Sequence, residues 1–124
     1  MLNTSKLIGF AATTKPKLAK QFYRDVLGLS LIEDNPFALV FDANGIMLRV
    51  QKVQDHSPAG HTVLGWEVDD IATIIRQMTK KGVAFERYEG LQQDGLGIWT
   101  SPAGAKVAWF NDPDGNILSL TQFR

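Results

Sequence analysis

Two stretches of this 124-residue chain read alike: "FALVFDANGIMLRV" (37–50) and "VAWFNDPDGNILSL" (107–120). Each is an apolar, strand-like run, then a turn rich in Asn, Asp and Gly, then a second such run. Aligning Gly45 with Gly115 superposes "GIMLRV" on "GNILSL". Arg49 and Ser119 then share one place, four residues past the turn glycine. A hairpin that recurs in both halves constrains the fold more than any composition figure, because it points to an internal repeat.

The residues ahead of each hairpin extend the repeat. "KLIGFAAT" (6–13) is an apolar strand candidate, and "KPKLAKQFYRDVLG" (15–28) follows it. Leu18, Phe22 and Val26 recur every four residues with Ala19, Tyr23 and Leu27 beside them, which predicts a helix with one apolar stripe. Thr14 suits its N-cap, Pro16 its first turn and Gly28 its stop. "LSLIED", "FALVFD" and "IMLRVQKV" then read as three strands. After a polar connection at 54–61 the order recurs. "TVLGWEV" is a strand, and "DDIATIIRQMTKKG" is a helix capped by Asp69 or Asp70 with Ile71, Ile74, Ile75 and Met78 on one side. "VAFERYE", a short piece near "GIWT", "AKVAWF" and "NILSLTQF" complete the set. The expectation is an α+β chain: one domain over 1–124, made of two βαβββ modules at about 5–53 and 61–124.

Composition narrows the function classes. Thirteen basic residues balance thirteen acidic ones, so no net field draws the chain to nucleic acid. The absence of cysteine removes disulfides, thiolate metal sites and a thiol nucleophile. Apolar content of 44% without any run near the length of a bilayer span argues against membrane insertion. "MLNTSKLIGF" does not read as a signal peptide, so the expected location is cytoplasmic.

"FYRDVLGLSL" (22–31), "EVDDI" (67–71) and "DPDGNILSL" (112–120), in this order and spacing, resemble the vicinal oxygen chelate superfamily. That superfamily includes glyoxalase I, bleomycin-resistance proteins and extradiol dioxygenases. The resemblance implies curved mixed sheets around a cup, often in a homodimer. Its members isomerise, cleave rings, open epoxides or only bind drugs, so the fold leaves the activity open.

The metal-dependent members place ligands at four positions, which fall here on Ile8, Arg49, Val63 and Ser119. Aliphatic side chains have no lone pair to donate, and a guanidinium repels a cation. The resemblance therefore implies a cup without its metal and without another cofactor. A divalent site built from His61, Glu67 and His56 is the alternative.

Strand alternation supplies the expected lining. Phe10 and Ala12 accompany Ile8; Met47 and Gln51 accompany Arg49; His61, Gly65 and Glu67 accompany Val63; Thr121 and Phe123 accompany Ser119. The ligand candidates are Arg49, Glu67, Ser119, Thr121, Gln51, His61, Phe10 and, from the glycine-rich 90–97 loop, Trp99. Arg49 would hold an anionic oxygen through paired hydrogen bonds, or it would pair with Glu67. Glu67 is also a candidate base. Trp66 is expected in the core, Trp109 is ambiguous by parity, and "DPDG" is a turn. The reading is a binder of a small anionic or aromatic molecule. The alternative is a lyase, isomerase or dioxygenase-type enzyme, using Arg49 and Glu67 or an unrecognised metal site.

Overall fold

A computed structural model describes residues 1–124, which divide into two compact units, Met1–Ser57 and Pro58–Arg124. In the first, β1 (Ile8–Thr13), α1 (Pro16–Gln21), β2 (Ser30–Asp34), β3 (Ala38–Ala43) and β4 (Ile46–Lys52) form a sheet of order β1-β4-β3-β2 with the helix on one side. In the second, β5 (Thr62–Glu67), α2 (Ile71–Lys80), β6 (Trp99–Thr100), β7 (Lys106–Asn111) and β8 (Ile117–Gln122) repeat it as β5-β8-β7-β6. The first strand of each unit runs parallel to the last, and the remaining pairs are antiparallel. The fold is α+β, with two four-stranded mixed sheets of one topology.

The hairpin turns make this register. Asn44 and Gly45 both adopt positive φ, 52° and 88°, which closes a two-residue turn whose twist suits a β-hairpin. Ala43 then faces Ile46, and Arg49 faces Val40. The second hairpin closes over three residues instead, and its turn is organised by a side chain. Asp112, 6% exposed, accepts hydrogen bonds from Asp114 N at 2.9 Å, Asn116 N at 3.0 Å and Asn116 Nδ2 at 2.7 Å. This is the structural role expected for "DPDG".

Each sheet buries one face. In the first unit Leu39, Phe41, Leu48 and Val50 are buried under Ala19 and Tyr23, whose ring lies 5.7 Å from Phe41. In the second, Ala108, Phe110, Leu118 and Leu120 share the core with Ile71, Ile75 and Met78 of α2. A fully buried side chain of this size stabilises by about 1.5–3 kcal/mol. Asp70 caps α2 by accepting from Thr73 N at 3.2 Å and from Thr73 Oγ1 at 2.8 Å. Both bonds hold its carboxyl below the ordinary aspartate range.

Three local expectations need correction. Thr14 does not cap α1. The boundary is Lys15, held out of helical geometry at φ −129° and ψ 69° because Pro16 disfavours the helical region in the residue before it. Thr13 Oγ1 accepts the Lys15 N–H at 3.0 Å instead. The helix is not regular through Gly28, since a π-helical turn spans Phe22–Val26. The stripe against the sheet is Ala19 and Tyr23, and Leu18 is 52% exposed. Finally, "VAFERYE" is no strand. It contributes one isolated bridge, Phe85 to Phe110, because a glutamine side chain captures the backbone that a strand would have paired.

Candidate functional site

The second face of each sheet is only partly covered: Val40 and Ser119 are buried on it while Phe10 and Ile8 stay exposed, and candidate residues lie among them. In the first unit the register sets Ile8, Met47, Asp42 and Ser30 in one row across all four strands. Phe10, Arg49 and Val40 form the next row, and Ala12, Gln51 and Ala38 the one after. Apolar side chains are left half-open here: Phe10 is 51% and Ile8 44% exposed. The first row lines a cavity of about 490 Å³, with Ile32 and Lys6 beside it.

Arg49 lies one row along, on the same face as Met47 and about 7 Å further along the strand by ordinary strand rise. Its guanidinium leans towards the cavity, with Nη1 4.0 Å from Met47 Sδ, a weak acceptor. No carboxylate of the first unit pairs with it: Asp34 is taken by Lys20 and Lys52, and Asp25 by Arg24. Asp42 shares the cavity lining and accepts Gly45 N at 3.1 Å.

The second unit presents the same positions with different side chains. Ser119 faces Gly65 on one side and Trp109 on the other, where Arg49 faces Phe10 and Val40. Ser119 is 7% exposed, at the floor of the sheet. A Cβ on Gly65 would lie 2.8 Å from Ser119 Oγ, so the glycine permits the close approach of these strands. Thr121 lies between Glu67 and Val107, with Trp99 beyond Val107. Glu67 is exposed at the end of β5. Trp66, of opposite parity, pairs with buried Leu120 on the helix side. His61 is exposed and lines a cleft of about 290 Å³ with Trp109 and Tyr88.

The four positions that the resemblance marks for metal ligands carry a poor donor set. Ile8 and Val63 offer no donor atom, Arg49 is a fixed cation and Ser119 brings a single neutral hydroxyl. No three His, Asp or Glu side chains are grouped as a metal site.

Several site residues escaped sequence reasoning. Asp42 is one, although the Asn44–Gly45 turn, which sets it opposite Met47, is a signal that could have found it. Tyr88 was not legible, since it lies in a segment without period, and Trp109 needed the register to settle its parity.

The model of the glyoxalase/bleomycin resistance protein/dioxygenase superfamily matches residues 10–120. The chain belongs to this superfamily. Solved structures of the superfamily fold agree with it over nearly the whole length. Lactoylglutathione lyase from Agrobacterium tumefaciens superposes with a TM-score of 0.73 at 18% identity, covering 95% of this chain and 93% of that one. TioX from Micromonospora sp. ML1 gives 0.72 at 21% identity, with 97% and 99% covered. A superfamily protein from Alicyclobacillus acidocaldarius gives 0.70 at 17% identity, with 96% and 91% covered. At these identities the likeness concerns the fold. A search of curated protein sequences finds no match.

Proposed function

We propose that this superfamily member binds a small molecule with an anionic end and an apolar body, non-covalently and without a resident metal. One observation carries the reading. Arg49 sits mid-sheet beside exposed Phe10, pairs with no carboxylate of its unit, and contacts Met47, which lines the 490 Å³ cavity. A cation so placed suits a carboxylate or phosphate, through two parallel charge-assisted hydrogen bonds. Ile8, Ile32 and Met47 suit the apolar remainder, and Ser30 and Lys6 add polar points. Gln51 and Phe10 flank the anchor on the same face.

The test is a titration of chelator-treated protein with octanoate and, for comparison, 1-octanol. A charge-assisted hydrogen bond is worth about 1.5–3 kcal/mol, so Arg49→Met should weaken octanoate binding about 10- to 100-fold and leave 1-octanol unaffected. The folded far-UV spectrum should persist. Unchanged octanoate affinity in the variant would sink the proposal. A melting-point rise on adding Zn²⁺, Ni²⁺ or Mn²⁺ would instead favour a metal-dependent lyase, isomerase or dioxygenase, because only a ligand of the native state stabilises it.

A further inference from the structure

The second unit carries a feature that anion binding at Arg49 does not use. Tyr88 stands in the irregular segment 83–98, yet the chain around it is pinned. Gln93 Oε1 accepts Tyr88 N at 2.8 Å, while Gln93 Nε2 donates to Glu86 O at 2.9 Å and to Gly97 O at 2.8 Å. Glu86 N donates to Trp109 O at 2.8 Å, which ties the same segment to β7. Three side-chain bonds from one glutamine thus set an aromatic ring in place.

That ring meets Trp109 edge-on, with centroids 5.5 Å apart and planes at 76°. The Trp99 ring lies 6.2 Å from that of Trp109 with planes at 37°. None of this is needed for the core, because the buried face of β7 is filled by Phe110, with Phe85 packed 5.4 Å from it. Tyr88 stays 37% exposed and Trp109 half-buried. Two partly open aromatic rings, Tyr88 and Trp109, held in place beside one cleft lower the ordering cost of binding there.

We infer that the cleft formed by Gly60, His61, Thr62, Tyr88, Trp109 and Ile117 is a binding site for a planar aromatic group, stacked against the Trp109 indole and edged by Tyr88. Its volume, about 290 Å³, suits one or two fused rings. Offset or edge-on contact with an indole rewards a flat π-face, which a saturated ring of equal size lacks. His61 and the Tyr88 hydroxyl supply hydrogen bonds to a polar substituent on the ring's rim. The Tyr88 phenol is protonated at neutral pH, as any tyrosine is, and desolvation and the nearby Glu86 raise its pKa further. Gln93 is a positioning residue: it touches Tyr88's backbone and not the ligand.

The experiment follows the indole N–H resonances of the three tryptophans by ¹H–¹⁵N NMR, on the whole chain, while adding 2-naphthol or its saturated counterpart decahydro-2-naphthol. Trp66, on the helix side of its sheet, is the internal reference. The expected result is a saturable shift of Trp109 with Trp66 unmoved, and at least about threefold weaker binding of the saturated alcohol. Tyr88→Ala, with the folded far-UV spectrum retained, should weaken 2-naphthol severalfold. Trp109→Leu should abolish binding and Trp109→Phe restore most of it. No saturable shift, equal affinity for the two alcohols, or full affinity in Tyr88→Ala and Trp109→Leu would overturn the inference. Octanoate binding that depends on Arg49 while 2-naphthol fails would leave the proposed function standing and remove this site. The reverse pattern would keep the cleft and remove the Arg49 anchor.

Discussion

The two sheets are one design executed twice with different side chains. At the centre of the first, Arg49 stands between Phe10 and Val40; at the centre of the second, Ser119 stands between Gly65 and Trp109. One face offers a long cation among aliphatic and aromatic neighbours. The other offers a small hydroxyl in a hollow beside an indole. Backbone register is set by turns and by the buried face, so it survives exchange of the open face's residues. Binding chemistry rides on the open face and is free to diverge.

The strongest way to break this comparison is through the buried faces, where the units should behave alike. Phe41 and Phe110 are both fully buried and occupy the same place in their sheets, opposite Leu48 and Leu118. Phe41→Ala and Phe110→Ala should each cost about 3–5 kcal/mol in chemical denaturation. A cost near zero for one of them would mean that its sheet does not rest on this core.

A medium effect separates the turns. Asp112→Ala removes the acceptor of three hydrogen bonds at a buried position and should cost about 1–3 kcal/mol. Asp42→Ala loses one exposed bond to Gly45 N, from a turn that backbone geometry already favours, and should stay within about 0.5 kcal/mol. Equal costs would mean that both turns depend on side chains.

The smallest effect depends on pH. Hydrogen bonds from Lys20 and then Lys52 hold the Asp34 carboxyl below its ordinary value. Its folded pKa is therefore the lower one. The stabilisation is present above the unfolded pKa and is lost as pH falls through the folded one. Asp34→Asn should lower the melting temperature slightly at pH 7, and the gap to the parent should close in strong acid. A gap that persisted in strong acid would assign the effect to packing instead of charge. Asp70 in the second unit, held low by Thr73, should act in the same window.

Local and distant effects were unequally legible in the sequence. The hairpins could be read because alternation and turn residues act between neighbours, and α2 because Asp70 and the Ile71–Ile75–Met78 stripe lie within one element. The first helix was harder. Leu18 and Ala19 both fit an apolar stripe, and only contact between Tyr23 and Phe41 chooses between them. Segment 83–98 was misread as starting with a strand because Gln93 satisfies its backbone from outside any ladder.

By itself, then, the sequence determined the two hairpin copies, their register and the equivalent places of Arg49 and Ser119 in them. Those follow from periodicity, turn conformations and side-chain chemistry, none of which needs a partner far along the chain. Tertiary structure decided which way Arg49 leans, how closely Gly65 approaches Ser119, and that Tyr88 meets Trp109. The last two rest on contacts between residues far apart along the chain, which no local rule couples, so they exist only once the strands of the second unit have paired.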